Sequence, residues 1–328
     1  MTKPSVYIAY TGGTIGMQRS SSGYRPSPGH LLAAIQRQPE FQSKDLPDIT
    51  FHEYDEIIDS SNCTPKHWNQ IAEDISNNYD SYDGFVILHG TDTMAYSASA
   101  VSFILQGLQK PVIFTGSQIP FEQVRSDARD NLIGAIQLSV IPEINEVCVY
   151  FQNHLYRGNR SSKTDSTGFA AFQSPNYPAL AKVGIDIAMN KSAMQANRGD
   201  TLSLLPLMGS AEVGTVQIFP GMTARLLANY LQQPVRGLIL MTYGSGNIPT
   251  HDDQLIREIK QACERGIIVV NCTQCLTGKV DMKAYETGSI LEQAGVVNAK
   301  DMTIEACVTK LSWLISRFDD PQKIRELM

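Results

Sequence analysis

Two glycine-marked turns hold the residues of this chain that are equipped for acyl-transfer chemistry. The first is Tyr10-Thr11-Gly12-Gly13-Thr14-Ile15-Gly16, directly after a short apolar run at 5–10. Paired glycines let a strand turn sharply, because positive φ carries no Cβ cost there. Open α/β sheets bind ligands at such strand ends, and this one offers the hydroxyls of Thr11 and Thr14. Taken alone, a junction of this kind is more commonly a plain tight turn or a phosphate cradle than a nucleophile site. The second turn, His89-Gly90-Thr91-Asp92-Thr93-Met94, follows a buried-type strand at 84–88. Thr91 and Asp92 read as N-caps of a helix at 95–108 or, equally, as a hydroxyl and a carboxylate facing a site.

Together these segments resemble the bacterial-type L-asparaginase family, most closely its cytoplasmic type I branch. Tyr24 falls in the loop after the first motif, Asp59-Ser60-Ser61 lies between the two, and Thr115-Gly116-Ser117-Gln118 follows the second. Arg157-Gly158-Asn159-Arg160 leads to Lys163, at the family's lysine position. The similarity extends over nearly the whole chain. It implies hydrolysis of L-asparagine to L-aspartate and ammonia without cofactor or metal, with L-glutamine as a weaker substrate; one methylene discriminates by only about 1–3 kcal/mol. By resemblance Thr14 is the nucleophile and forms a β-aspartyl ester that water cleaves. Thr91, Asp92 and Lys163 match the second threonine, the aspartate and the lysine, and Tyr24 matches a lid tyrosine. Asp59, Ser60 and Ser61 match the segment that holds the substrate's α-carboxylate and α-amino end, an ammonium that Asp92 also serves.

The chemistry sets its own demands. Cleaving a carboxamide takes a nucleophile, a path for its proton and donors for the developing oxyanion. A lysine has a reference pKa of about 10.4, so Lys163 acts as a base through Thr91 only if its surroundings favour the neutral amine. Which group first takes the Thr14 proton stays open. Read without the family, Asp59-Ser60-Ser61 is an Asx or Ser turn, and Tyr24 belongs to a polar stretch, 20–24, able to cover a site. Gly244-Ser245-Gly246-Asn247 reads as a Gly-rich strand-to-helix turn. By resemblance the same element carries Asn247 to a neighbouring subunit's site, which implies a homo-oligomer, dimer or tetramer. The acidic residue that the periplasmic branch takes from the neighbour has no counterpart at 278–285.

The elements that must position these residues alternate as β and α. Strand patterns fall at 5–10, 49–53, 84–89, 111–115 and 146–151, with helices at 65–78, 95–108 and 127–139 between or after them. Thr64 caps the first of these, with proline at its first position. A polar stretch, 190–200, reads as a linker or surface loop. A second series follows: strand 214–219, helix 223–231, strand 237–241, helix 251–265, strand 266–271 and helix 303–317, then a short helix from Asp320-Pro321. Alternation of this kind predicts an α/β protein with two α/β domains. The larger, catalytic one has an open sheet flanked by helices and spans 1–190; after a linker at 191–212, a smaller parallel-sheet domain spans 213–328.

A chain of 328 residues suits two cores. Its net charge of −6 and lack of like-charge runs argue against nucleic-acid partners. No segment has the length of a membrane span or signal core, so a cytoplasmic location and no membrane partner are expected. Six scattered cysteines read as reduced thiols. Cys272 and Cys275 form an isolated C-x-x-C at a strand end, without the second pair a zinc site needs. The strand end at 271–275 is also a candidate for a second small-molecule pocket. Two rival functions stand beside the hydrolase. An amidase subunit of a tRNA-dependent amidotransferase would add an amino-terminal domain, whereas the first strand here starts at Ser5. A silent amino-acid-binding module would not need Lys163 behind Thr91.

Overall fold

The computed structural model describes residues 3–21, 23–197, 199–210, 212–250, 253–283 and 286–328. The chain divides into two compact units, Met1–Leu205 and Pro206–Met328.

In the first unit, β1 (Ser5–Gly12) leads through a 3-10 turn, Thr14–Gly16, into a hairpin of β2 (Met17–Ser20) and β3 (Gly23–Pro26). Helix α1 (His30–Gln36), β4 (Asp48–Ile58), α2 (Pro65–Asn78), β5 (Gly84–Leu88) and α3 (Met94–Ile104) follow. Next come β6 (Leu105–Gln106), β7 (Val112–Thr115), α4 (Ala128–Leu138), β8 (Val147–Phe151) and β9 (His154–Arg157). The unit closes with short strands: β10 (Ser162–Lys163), β11 (Phe172–Gln173), β12 (Ala181–Val183), β13 (Ile187–Met189) and β14 (Ser203–Leu204). The main sheet has eight strands in the order β13-β12-β9-β8-β7-β5-β1-β4. It is parallel from β4 to β8 and antiparallel beyond. Apolar runs such as Gly84–Leu88 are buried throughout, as expected for parallel strands covered on both faces. The chain passes from β1 to β4 on one side and then to β5 on the other. Strand β1 is therefore where the strand order reverses, and the crevice at its carboxyl end is the place such sheets offer a ligand.

Two of the expected elements of this unit, β4 and α3, end elsewhere than the sequence reading placed them. Strand β4 runs unbroken to Ile58, where an irregular stretch after residue 53 was expected, because a register shift between Tyr10 and Gly12 keeps it paired with β1 up to Gly12↔Ile58. Helix α3 ends at Ile104 and not at residue 108; its last turn gives way to β6, which pairs with β14. Gly107, at φ 75°, then turns the chain. Helix α2 matches its expected span and opens with the Thr64 N–H donating to His67 Nδ1 at 2.9 Å.

The second unit contains β15 (Val213–Gln217), α5 (Ala224–Tyr230), β16 (Gly237–Thr242), α6 (Asp253–Glu264) and β17 (Ile268–Thr273). After these come α7 (Glu286–Gln293), β18 (Val297–Asn298), α8 (Ile304–Arg317) and α9 (Pro321–Leu327). Its four strands form one parallel sheet in sequence order. His251 and Asp252, the expected start of α6, and Tyr285 lie outside the described residues. Strand β17 starts at Ile268, two residues later than expected, because Gly266 turns at φ 91°. Thr223, Thr303 and Asp320 each cap the next helix by accepting a backbone N–H. Cys272 is buried and Cys275 exposed, both as free thiols. Cys272 pairs instead with the Cys307 thiol: the bond between them holds Cys272 below its ordinary value and, with burial, pushes Cys307 well above. Among the described residues no group of His, Cys, Asp or Glu is placed to hold a metal ion, and no helix is long and apolar enough to cross a membrane.

Candidate active site

Three loops meet at the carboxyl ends of β1, β4 and β5, and glycine lets them meet. A Cβ on Gly12 would lie 2.0 Å from the Ile58 carbonyl oxygen. One on Gly13 would lie 2.4 Å from both Cα and N of Gly90, and one on Gly90 would lie 2.4 Å from Ser60 Oγ. No side chain fits at these positions, so the backbones bearing Thr14, Ser60 and Thr91 pack directly against one another. Thr14 opens the 3-10 turn and is half-buried. Thr93 Oγ1 donates to the Ser60 carbonyl at 2.8 Å, tying the second and third loops together.

Lys163 reaches this point from β10, which pairs antiparallel with β11. Its Nζ donates to Thr91 Oγ1 and to Asp92 Oδ1, each at 2.8 Å. The lysine side chain is 18% exposed and that of Asp92 66%, so the ion pair has one wall in protein and one in solvent. Thr91 is buried and donates in turn to Gln118 Oε1 at 3.2 Å. The Gln118 amide has only one orientation that fits, since its Nε2 donates to the Gly168 carbonyl at 3.0 Å. Asp127 anchors this loop by accepting the backbone N–H groups of Gln118 and Ile119. Burial pushes the Asp127 carboxyl above its ordinary value, partly opposed by those bonds.

A directed chain of hydrogen bonds lies beneath Thr91. Trp68 Nε1 donates to Ser97 Oγ at 3.1 Å, and Ser97 Oγ lies 3.0 Å from His89 Nε2. His89 Nδ1 is 2.7 Å from the Gly90 carbonyl. A carbonyl only accepts, so Nδ1 carries the proton and Nε2 accepts from Ser97. Burial pushes His89 down to about 4, which keeps it neutral near pH 7. In a trans peptide the C=O and the next N–H point in opposite directions. Holding the Gly90 carbonyl against His89 therefore aims the Thr91 N–H away from the core.

The structure brings Thr14, Ser60, Thr91, Asp92 and Lys163 into one cluster. Asp59 makes the Asx turn its sequence allows, accepting the Ser61 N–H at 3.1 Å, and leaves Ser61 exposed beside it. Tyr24 sits on β3 opposite Arg19, 49% exposed, on a strand that packs against the Thr14–Gly16 turn. The N-cap reading of Thr91 and Asp92 does not hold: Thr93 occupies the cap position of α3, one residue later. Asn247 lies in the second unit, in a loop closed by mutual backbone bonds with Tyr243, 2.9 and 2.8 Å. That loop is a tight hairpin-like closure within the strand-to-helix connection from β16 to α6. Sequence reading assigned no role to Gln118, His89 or Gly168. Gln118 and His89 stood inside the quoted motifs; Gly168 carries no local signal.

Comparison with known proteins identifies the family. Residues 5–195 match the family model described as Asparaginase, N-terminal, and residues 212–328 match the Glutaminase/Asparaginase C-terminal domain. The chain belongs to the asparaginase family and is an amidohydrolase. It is 50% identical to L-asparaginase 1 of Escherichia coli K12, covering 100% of this chain and 96% of that one. Its fold superimposes on L-asparaginase I from Vibrio cholerae with a TM-score of 0.92 at 45% identity, covering 99% and 96% of the two chains. The thermostable L-asparaginase of Thermococcus kodakarensis gives 0.89 at 32% identity, covering 98% and 96%.

Proposed function

We propose that this protein is a cytoplasmic L-asparaginase of type I, hydrolysing L-asparagine to L-aspartate and ammonia with Thr14 as nucleophile. One observation carries the reading. Lys163 Nζ stands 2.8 Å from both Thr91 and Asp92, on the loop whose Gly90 packs against the backbone beside Thr14. A simple binding pocket has no use for a lysine behind a buried threonine hydroxyl.

In the proposed mechanism Thr14 Oγ1 attacks the side-chain carbonyl of asparagine, and its proton leaves with the departing ammonia. The Thr91 N–H, directed outward by the His89–Gly90 bond, is a donor for the developing oxyanion. Asp92, largely exposed, receives the substrate ammonium opposite the lysine, while Ser60, Ser61 and the Asp59 turn take its α-carboxylate end. Tyr24 covers Thr14 from the hairpin. Water then cleaves the β-aspartyl ester, activated through Thr91 as its hydroxyl proton shifts toward Lys163. In the structure Thr91 donates to Gln118 and accepts from Lys163, so that step requires the hydroxyl to reorient once Lys163 gives up a proton.

The same reading makes L-glutamine a poorer substrate and the protein a homo-oligomer, dimer or tetramer, with Asn247 offered to a neighbouring subunit. The L-asparaginase names of the relatives support the reaction on L-asparagine. The test is ammonia release from L-asparagine by the purified chain with no added cofactor. Steady turnover that disappears in Thr14→Ala is the expected result. Activity unaltered by that substitution would place the nucleophile elsewhere.

A further inference from the structure

The hairpin that carries Tyr24 is held at its base by a bridge that the proposed chemistry does not use. Gln18, on β2, donates through Nε2 to His30 Nδ1. His30 Nε2 lies 3.1 Å from Glu122 Oε2, and Arg37 pairs with the other oxygen of Glu122. One neutral tautomer satisfies both bonds, with Nδ1 accepting and Nε2–H donating. The His30 side chain is 14% exposed, so neither bond is freely exchanged with water. Glu122 belongs to a loop already fixed to the nucleophile turn, because the neighbouring Phe121 N–H donates to the Ile15 carbonyl at 3.0 Å. Past β3 and next to His30, the Gly29 N–H donates to Glu53 Oε1 at 2.8 Å.

We propose that His30 is a positioning residue of the active site: through the Gln18–His30–Glu122 bridge it locks the β2–β3 hairpin, and with it Tyr24, in register with the Thr14 turn. The proposal rests on the asparaginase reading for its kinetic consequence but not for the bridge. Thr14 and Tyr24 are joined through the β2–β3 hairpin, and a two-stranded hairpin alone is marginally stable. A side-chain clamp between β2 and the loop bonded to Ile15 removes that freedom at the base. Misplacing a contacting group by about 1 Å costs on the order of 10²-fold in rate.

The charged and titratable groups facing His30 are Glu122, with Arg37 behind it, and Glu53 at the adjacent Gly29 amide. The test uses two substitutions at Gln18 in the full chain. Gln18→Leu removes only the hairpin side of the bridge. Its kcat for L-asparagine should fall about tenfold with KM changed less than threefold and thermal stability unchanged. Hydrogen exchange across 17–26 should quicken at least tenfold. Gln18→Met keeps the length and packing without the donor, and should match Gln18→Leu in kcat and in exchange. Parental exchange across 17–26 in either variant would overturn the bridge. If the parent chain released no ammonia from L-asparagine, the functional reading would fall, and the exchange measurement would still decide the bridge.

Discussion

A Cβ placed on Gly13 would stand 2.4 Å from both Cα and N of Gly90, so the two threonine-bearing turns share a backbone contact that no other residue permits. Gly90 has a second near neighbour in Ser60 Oγ, 2.4 Å from its own virtual Cβ.

Gly90→Ala should therefore damage function more than stability. Overpacking costs about 1–3 kcal/mol, whereas forcing the loops apart by about 1 Å costs on the order of 10²-fold in turnover. Denaturant titration and ammonia release on one preparation check both. Retained activity within about threefold would show that the Thr91 loop is not held by its packing against Ser60.

Lys163→Met should separate the halves of the reaction. The departing ammonia carries a proton away, whereas water entering the same place needs a base. Removing Nζ from Thr91 and Asp92 should slow ester hydrolysis and produce a burst, with the first turnover faster than later ones. Rapid-quench kinetics reads this directly. Wild-type-like steady turnover without a burst would leave Lys163 as a structural partner of Asp92.

His89 sets an acid limit on stability. Its folded-state value of about 4 lies below the ordinary 6.5, so between these pH values the unfolded chain binds a proton that the folded chain does not. Stability then falls with acidification through this window, by about 1.4 kcal/mol per pH unit from this one residue. His89→Gln lacks that proton uptake. Urea denaturation at pH 7.5 and pH 5 should show a smaller acid loss in the variant than in the parent. Equal losses would show that His89 is charged in the folded state.

Part of this site was legible in the residues themselves. Glycine pairs at strand ends and threonines beside them are local signals, but the roles of Thr14, Thr91, Asp92 and Lys163 came only from the family resemblance that those motifs carry. What pins them was not legible. The Gln118–Gly168 bond spans 50 residues and the Trp68–Ser97 bond 29, and neither leaves a periodic or compositional trace. Strand β4 ran past its expected end because a shift in its pairing with β1, not its own composition, decides its length. The helix starts at Met94 with Thr93 at the cap, and the Thr91 and Asp92 side chains are engaged instead by Lys163, 71 residues away from Asp92.

The central claim is that Thr14 becomes acylated. The most direct measurement is mass spectrometry of Lys163→Met, acid-quenched within its first turnover on L-asparagine and digested before mapping. An aspartyl adduct on the peptide containing Thr14, absent when Thr14→Ala is added to the same variant, is the result expected here. The same adduct on Thr91, or turnover that persists in the double variant, would contradict it.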